Sequence, residues 1–197
     1  MNKITLLLIL MVAPFAVLNG QRPRIETAGR PSSPSFGETS SHALKLVQGL
    51  SLCARDEEVI FSCTISGSGK LLSLCGSRGL DAQSGYVQYR FGRAGRLELE
   101  FPQAREKTQS AFRYTRYTRP LVTYLVLRFE SNGYLYSIHQ NDNAEERPPV
   151  REASVTVTPL QSSNPKTTEL RCRLPYRGSL MSLEDIVPRA EEETLDP

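Results

Sequence analysis

The sequence predicts an all-β domain, an antiparallel sandwich or small barrel of about eight strands. Short runs of β-branched and aromatic residues alternate with polar residues along the middle of the chain. Turn-forming residues separate these runs, and Asn132-Gly133 is the strongest of these signals. Between the runs, no window of about 11–18 residues shows a helical period. The predicted domain has a flexible N-terminal lead-in and a short C-terminal helix with an acidic tail.

The first two predicted strands form a hairpin. Val59–Ile65 is β-branched and apolar, and Lys70–Cys75 follows after the turn Ser66–Gly69. This Gly-rich turn is not predicted to bind phosphate, because a strand and not a helix comes after it. A two-residue turn within it would place Cys63 opposite Leu72.

The next two strands, Tyr86–Phe91 and Leu97–Phe101, alternate between apolar and polar residues. Matching their apolar faces predicts two cross-strand pairs, Phe91 with Leu97 and Arg90 with Glu98.

The second half of the domain carries the remaining strands. Leu121–Phe129 is apolar on both faces, which predicts a central strand. A type I′ turn at Asn132-Gly133 predicts the pairs Phe129 with Tyr136 and Leu127 with Ile138. Further alternating strands are predicted at Phe112–Thr118, Val150–Thr158 and Thr168–Leu174.

Composition restricts the class of protein. Of 197 residues 39% are hydrophobic, and 24 basic against 21 acidic side chains give a net charge of +3. One domain is expected at this length, and the balanced charge argues against wholesale disorder. With 4 Cys and 2 His, neither a metal site nor another cofactor is predicted.

The N-terminus has the pattern of a secretory signal peptide. Lys3 gives a short positive region, and Ile4 to Leu18 is almost wholly apolar. This run is shorter than the ~20 apolar residues of a membrane-spanning helix. We therefore predict a signal peptide over residues 1–20, with an uncleaved anchor as the alternative. The mature chain is expected to be periplasmic or secreted, without a transmembrane segment.

Three further segments are predicted after the leader. Residues 21–43 contain three prolines and a Ser/Thr/Gly cluster, which indicates a flexible lead-in. The disulfide-bonded β domain is predicted over residues 44–177. Residues 178–197 are predicted as an acidic tail with a short helix that has Ser182 as its N-cap.

The four cysteines of an exported chain predict two disulfides. Their spacing is not that of a zinc site. Three pairings are open, and a bridge from Cys63 to Cys75 is awkward because the two side chains would point to opposite faces. We favour the pairs Cys53–Cys75 and Cys63–Cys172 among the three.

The middle of the chain is basic. From Gly76 to Arg128, ten basic and four acidic side chains give a net charge of +6, and nine of the ten are arginines with tyrosines between them. Arginine favours planar anionic partners. This pattern predicts a sheet face that binds an envelope protein or an anionic surface component, formed by Arg90, Arg113, Tyr114, Arg116, Tyr117 and Arg119.

Two alternatives concern these charges. The arginines of an ordinary solvated sheet face would be neutralised across strands. The segment 178–197 has a net charge of −5, so it either folds back to shield the basic face or serves as a solubilising end. Nucleic acid is not expected as the partner of an exported chain.

No catalytic residue is predicted, and we expect the chain not to be an enzyme. His42 lies in the lead-in, and Ser84-Gly85-Tyr86 lacks the spacing of a nucleophile elbow. His139, predicted opposite Val126, would need a Ser or Asp within hydrogen-bond reach to act as a hydrolytic base.

Several segments resemble known families. The runs Phe61-Ser62-Cys63, Ser73-Leu74-Cys75, Gly85–Gly92 and Glu98–Pro102 resemble an uncharacterised family of small exported Gram-negative proteins. This resemblance implies an exported bacterial protein and assigns no functional residue.

A second resemblance is to the periplasmic lysozyme inhibitors, small disulfide-bonded β-barrels with a Ser-Gly-x-x-Tyr loop. It implies an inhibitor of an extracellular hydrolase whose protruding loop contains Ser84, Gly85, Tyr86 and Tyr89. The loop in this chain is one residue longer, and a basic lysozyme would require an acidic face.

Overall fold

The computed structural model describes Ser51 to Glu191, and the predicted signal peptide and lead-in lie outside this range. The described chain is all-β and forms nine strands, one more than the predicted number of about eight. They are β1 (Glu57–Ile65), β2 (Leu71–Ser77), β3 (Val87–Arg93), β4 (Arg96–Phe101), β5 (Arg113–Arg119), β6 (Val122–Ser131), β7 (Tyr134–Asn143), β8 (Val150–Pro159) and β9 (Thr168–Gly178).

All nine strands belong to one antiparallel sheet that curls into a half-barrel. Their order is β4-β3-β2-β1-β9-β8-β7-β6-β5. Strands that follow each other in the chain are paired, except β4 and β5, and the non-consecutive strands β1 and β9 pair in the middle of the sheet. The two edges of the sheet are therefore β4 and β5, which are joined directly by residues 102–112.

The predicted register holds at the tight turns. Phe129 lies opposite Tyr136, and Leu127 lies opposite Ile138 across the Asn132-Gly133 turn. Cys63 lies opposite Leu72, as the Gly-rich turn predicts.

The predicted register between β3 and β4 is wrong by two residues. Arg90 lies opposite Glu100 and Phe91 opposite Leu99, because a bulge shifts the pairing between Phe91 and Gly92. Gly92 has φ 144°, and a Cβ there would lie 2.5 Å from the Arg96 carbonyl oxygen. Only glycine fits this bulge.

An aromatic cluster on the inner face holds the curl. The Phe129 ring lies 4.6 Å from Phe101, 4.8 Å from Tyr136, 4.9 Å from Tyr89 and 5.6 Å from Phe112 between centroids. These side chains come from both arms of the sheet, so the cluster brings β3 and β4 against β6 and β7.

The chain after β9 completes the core. At Gly178, φ is 78° and a Cβ would lie 2.1 Å from the Ile60 carbonyl oxygen, so glycine allows this sharp turn. A short 3₁₀ helix follows over Leu180–Leu183, and both of its end residues are fully buried. Buried Leu180 also donates its backbone N–H to Gln140 Oε1 at 2.9 Å.

Two predictions about this region need correction. The predicted N-cap is Ser182, but the side chain that caps the helix is Ser179, which accepts from the Met181 N–H at 3.1 Å. The folded part also extends beyond residue 177, because Leu180, Leu183 and Val187 are core residues. Apolar burial against β1 and β6 turns the segment 178–191 into part of the domain.

The two favoured disulfides are present. Cys53 is bonded to Cys75, and Cys63 is bonded to Cys172. The first attaches the chain before β1 to β2, and the second joins β1 to β9.

We predict that the disulfides contribute unequally to stability. They close 22 and 109 residues respectively. In the chain-entropy model the longer loop stabilises the folded state by about 1.4 kcal/mol more. Cys63→Ala/Cys172→Ala should therefore unfold at lower urea concentration than Cys53→Ala/Cys75→Ala. The reverse order would show that native-state contacts, and not loop length, decide the effect.

Candidate functional site

The outer side of the β5–β6 hairpin carries the most exposed aromatic surface in the basic segment. Tyr117 and Tyr124 lie directly opposite each other on β5 and β6. Their side chains are 46% and 41% exposed, and their rings are 6.2 Å apart between centroids. Together with Arg119 and Leu121 they form what we call the hairpin face.

The tip of this hairpin presents an apolar side chain. Leu121 is 65% exposed and has φ 65°, a left-handed conformation that non-glycine residues rarely adopt. Its carbonyl oxygen accepts the Ala144 N–H at 2.8 Å, which fixes the tip against the β7–β8 loop. Backbone strain of this kind at an exposed leucine suggests a functional constraint.

The arginines of β5 are largely engaged within the chain. Arg119 forms a salt bridge with Glu145, and this hydrogen bond raises the pKa of Arg119. Arg116 forms a salt bridge with Glu184. Arg113 donates to the carbonyl oxygens of Ser110 and Phe112, both at 2.8 Å. Two of these three charges are therefore neutralised by carboxylates.

Two predicted face residues do not lie on the face. Tyr114 is 1% exposed, because strand alternation turns it inward, and Arg116 has the same parity. Burial, and secondarily the charge of Glu184, raises the pKa of Tyr114 to about 12. Only Arg113, Tyr117 and Arg119 of the predicted set point outward on β5.

Arg90 is also buried, at 2% exposure. Its guanidinium makes two contacts with the Glu57 carboxylate, at 2.6 and 2.7 Å, and a third with Glu100 at 3.3 Å. It also donates to the Leu52 carbonyl oxygen at 2.9 Å. Arg90 therefore anchors the chain before β1 on the outer side of β3, and it cannot contact a partner.

The carboxylate of Glu57 stays charged within this cluster. Burial alone would raise the pKa of Glu57, but hydrogen bonds from Arg90, the Ala54 N–H and the Tyr86 hydroxyl hold it below its usual value. The Tyr86 hydroxyl donates at 2.7 Å, and burial together with Glu57 raises the pKa of this tyrosine.

The predicted inhibitory loop is divided between surface and core. Ser84 is exposed and is held by the Asp81 carboxylate, which accepts its N–H at 2.7 Å and its hydroxyl at 2.8 Å. Gly85 and Tyr86 are half-buried, and Tyr89 is 2% exposed within the aromatic cluster. Tyr89 is therefore unable to insert into an enzyme.

His139 lies on the outer side of β7, opposite Val126 as predicted. Its Nε2 is 3.2 Å from Thr156 Oγ1. Burial, and secondarily the charge of Arg128, lowers the pKa of this imidazole. It lines an open groove of about 470 Å³ that also contains Ser154 and Glu169. The imidazole is thus half-buried and hydrogen-bonded to a neighbouring strand.

One group of metal-ligand residue types occurs among residues 51–191, formed by Cys53, Glu57 and Cys75. Both of its sulfurs belong to a disulfide, and its carboxylate is engaged by Arg90. These atoms therefore do not offer a metal site. In the same part of the chain no helix has the length and apolarity to cross a membrane.

Comparison of the chain with protein-family models, curated proteins and solved structures found no match. A function for this chain is therefore inferred from the geometry of the described residues.

Sequence reasoning missed two residues of the hairpin face, Tyr124 and Leu121. A usable signal was present, because Pro120-Leu121 is the two-residue connection between β5 and β6. Pairing the strands across it places Tyr124 opposite Tyr117.

We predict that Glu57 makes stability depend on acid pH. Its folded pKa is lowered from 4.5, so its contribution is complete above that value and is lost as the pH falls through the folded pKa. Glu57→Gln should cost roughly 3–5 kcal/mol at pH 7, because it leaves Arg90 without its main partner. The variant should also lose less stability than the wild type on further acidification.

Urea unfolding at pH 7 and about pH 3 measures both effects. Glu98→Gln is the matched control, because Glu98 forms an exposed salt bridge with Lys70 and should contribute at most about 1 kcal/mol. Equal losses in the two variants would contradict the assignment.

Proposed function

We propose that the chain is an exported, non-enzymatic β-domain that binds a protein partner through the hairpin face. The observation that carries this proposal is the exposed pair Tyr117 and Tyr124, continued by Leu121 at the tip. Tyrosine and arginine are enriched among residues that dominate protein–protein binding energy. The proposed face combines both with an apolar tip.

The charges favour a protein over a purely anionic surface as the partner. Arg119 already has a carboxylate partner in Glu145, and Arg116 has one in Glu184. An electrostatic footprint requires arginines that are clustered and available. Binding through the hairpin face should therefore depend mainly on aromatic contact and persist at high salt.

The compartment follows from cysteine chemistry. Two disulfides fit an oxidising environment, outside the cell or in the periplasm. A secretory signal peptide over residues 1–20 would deliver the chain there, so the partner is sought among envelope or extracellular proteins.

A second candidate is inhibition of an extracellular hydrolase such as a lysozyme. Leu121 supports this alternative, because an exposed leucine on a fixed hairpin tip suits insertion into an apolar cleft. The inserted element would then be the β5–β6 tip and not the segment from Ser84 to Tyr89.

We predict that Tyr117→Ala/Tyr124→Ala weakens partner capture. The purified mature chain, with disulfides intact, is immobilised and exposed to envelope extract at low and high salt. Loss of two central aromatic side chains should weaken binding at least about tenfold, the effect of 1.4 kcal/mol. Capture by the wild type should survive high salt.

Tyr134→Ala is the matched control, since Tyr134 is 43% exposed at the opposite end of β6 and β7. Its capture should equal that of the wild type. Equal capture by the double variant would overturn the proposal. Capture of anionic polymer or lipid alone, lost at high salt, would support an anionic surface partner instead, and a captured hydrolase that loses activity would support the inhibitor.

We predict that Leu121→Gly separates binding from stability. Glycine adopts a positive φ without steric cost, and the removed side chain is largely exposed. Urea unfolding should therefore show equal or higher stability, by up to about 1 kcal/mol. Affinity for a partner captured through the hairpin face should fall, and unchanged affinity would remove the tip from the proposed interface.

A further inference from the structure

The groove beside His139, of about 470 Å³, lies where β8 and β9 part on the outer side of the sheet. Residue pairing between these strands ends at Ser154 and Arg171. Beyond that pair, Leu174–Tyr176 of β9 have no partner residue in either neighbouring strand, β8 or β1. The two strands therefore diverge along Val150–Ala153, and their separation opens the groove.

Three polar side chains form a row across the groove. His139 of β7 lies directly opposite Ser154 of β8, and Ser154 lies directly opposite Arg171 of β9. Side chains of residues that are paired in this way share one face of the sheet. Burial lowers the pKa of the His139 imidazole below 6.5, so at pH 7 the ring is neutral and has one donor and one acceptor nitrogen. The row therefore offers hydrogen-bond donors and acceptors together.

Asn141 adds a buried acceptor to the groove. It lies directly opposite Glu152, and its Nδ2 donates to Glu152 Oε1 at 2.9 Å. This bond fixes the orientation of the amide, because only the nitrogen can donate to a carboxylate. Within the described part of the chain, Asn141 Oδ1 is buried and accepts no hydrogen bond. A buried acceptor without a donor is unfavourable, so the site favours a ligand that brings a donor.

The charges that line the groove are already engaged within the chain. Arg171 Nε donates to Glu169 at 3.0 Å, and this hydrogen bond lowers the pKa of Glu169. Arg151 Nε donates to Asp142 at 2.8 Å, and Glu152 is the carboxylate that accepts from Asn141. Both guanidinium groups of the groove thus have carboxylate partners. An uncharged hydrogen-bonding ligand therefore matches the groove better than an ion does.

We propose that this groove binds a neutral saccharide. A hydroxyl group both donates and accepts, so one sugar hydroxyl supplies the donor for Asn141 Oδ1 and another bridges the Arg171–Glu169 pair. Leu174, which is 59% exposed at the groove wall, gives the C–H face of a sugar ring an apolar contact.

Two observations favour a saccharide over an extended peptide and make the site plausible in its compartment. Strand addition of a peptide uses backbone groups at a sheet edge, whereas the groups in this groove are side chains on a sheet face. The two disulfides fit an oxidising compartment, where surface glycans are accessible. This proposal is independent of partner binding through the hairpin face.

The test starts from the purified chain with its disulfides intact. It is applied to an array of neutral oligosaccharides, their sulfated and sialylated counterparts, and extended peptides, and we expect binding to neutral members. Titration with a bound neutral oligosaccharide then compares variants. Asn141→Ala and Arg171→Ala should each weaken binding about tenfold, because each removes a hydrogen-bonding group. Asn141→Ala removes an acceptor that has no partner, so folding should be preserved.

The matched control is Arg96→Ala, the same change at an exposed residue of β4 that does not line the groove. Its saccharide affinity should equal that of the wild type. Tyr117→Ala/Tyr124→Ala should also bind saccharide normally, which separates this proposal from the hairpin face. Binding to no neutral member, to anionic members only or to peptides only overturns the proposal, as does wild-type affinity in both groove variants.

Discussion

The aromatic cluster around Phe129 is the contact on which the rest of the structure depends. A nine-stranded antiparallel sheet has two edges, and contact between its arms holds its curl in place. Phe129 provides that contact by touching Phe101 of β4 and Tyr89 of β3. Because the arms meet there, the interior needs a cover, and the chain after Gly178 supplies it with buried leucines. The positions of Glu184 and Ala190 beside β5 follow from this cover.

Charge along the sequence and charge on the surface are different properties in this chain. The segment from Gly76 to Arg128 has a net charge of +6. The Arg90 guanidinium, however, is buried inside the domain, where it forms a salt bridge with Glu57. A buried guanidinium requires a partner, since an uncompensated charge costs several kcal/mol. The carboxylates that neutralise Arg116 and Arg119 come from residues far along the chain. The local composition therefore predicts a more basic surface than the structure has.

The accuracy of sequence reasoning depended on how local each interaction is. The Asn132-Gly133 turn fixed a register because two residues determine its geometry. The β3–β4 register failed because the bulge at Gly92 depends on which backbone lies against it. Strand alternation alone already separates Tyr114 and Arg116 from Tyr117 and Arg119, so part of the error in the predicted face was avoidable. The cover formed by Leu180 and Leu183 gave no periodic signal, since only long-range packing creates it.

The position of the hairpin face follows from how an edge strand is protected. An exposed edge invites pairing with another chain, and proteins cover or interrupt it. In β5, the C-terminal segment satisfies the backbone N–H and carbonyl oxygen of Tyr114, which covers this part of the edge. The C-terminal segment up to Ala190 covers β5 beside Tyr114. Tyr117 and Arg119 lie farther along the strand, toward the hairpin tip. The same strand therefore presents backbone to its own C-terminus at one end and aromatic side chains to solvent at the other. This division leaves the hairpin face open to a partner while the rest of the edge is protected.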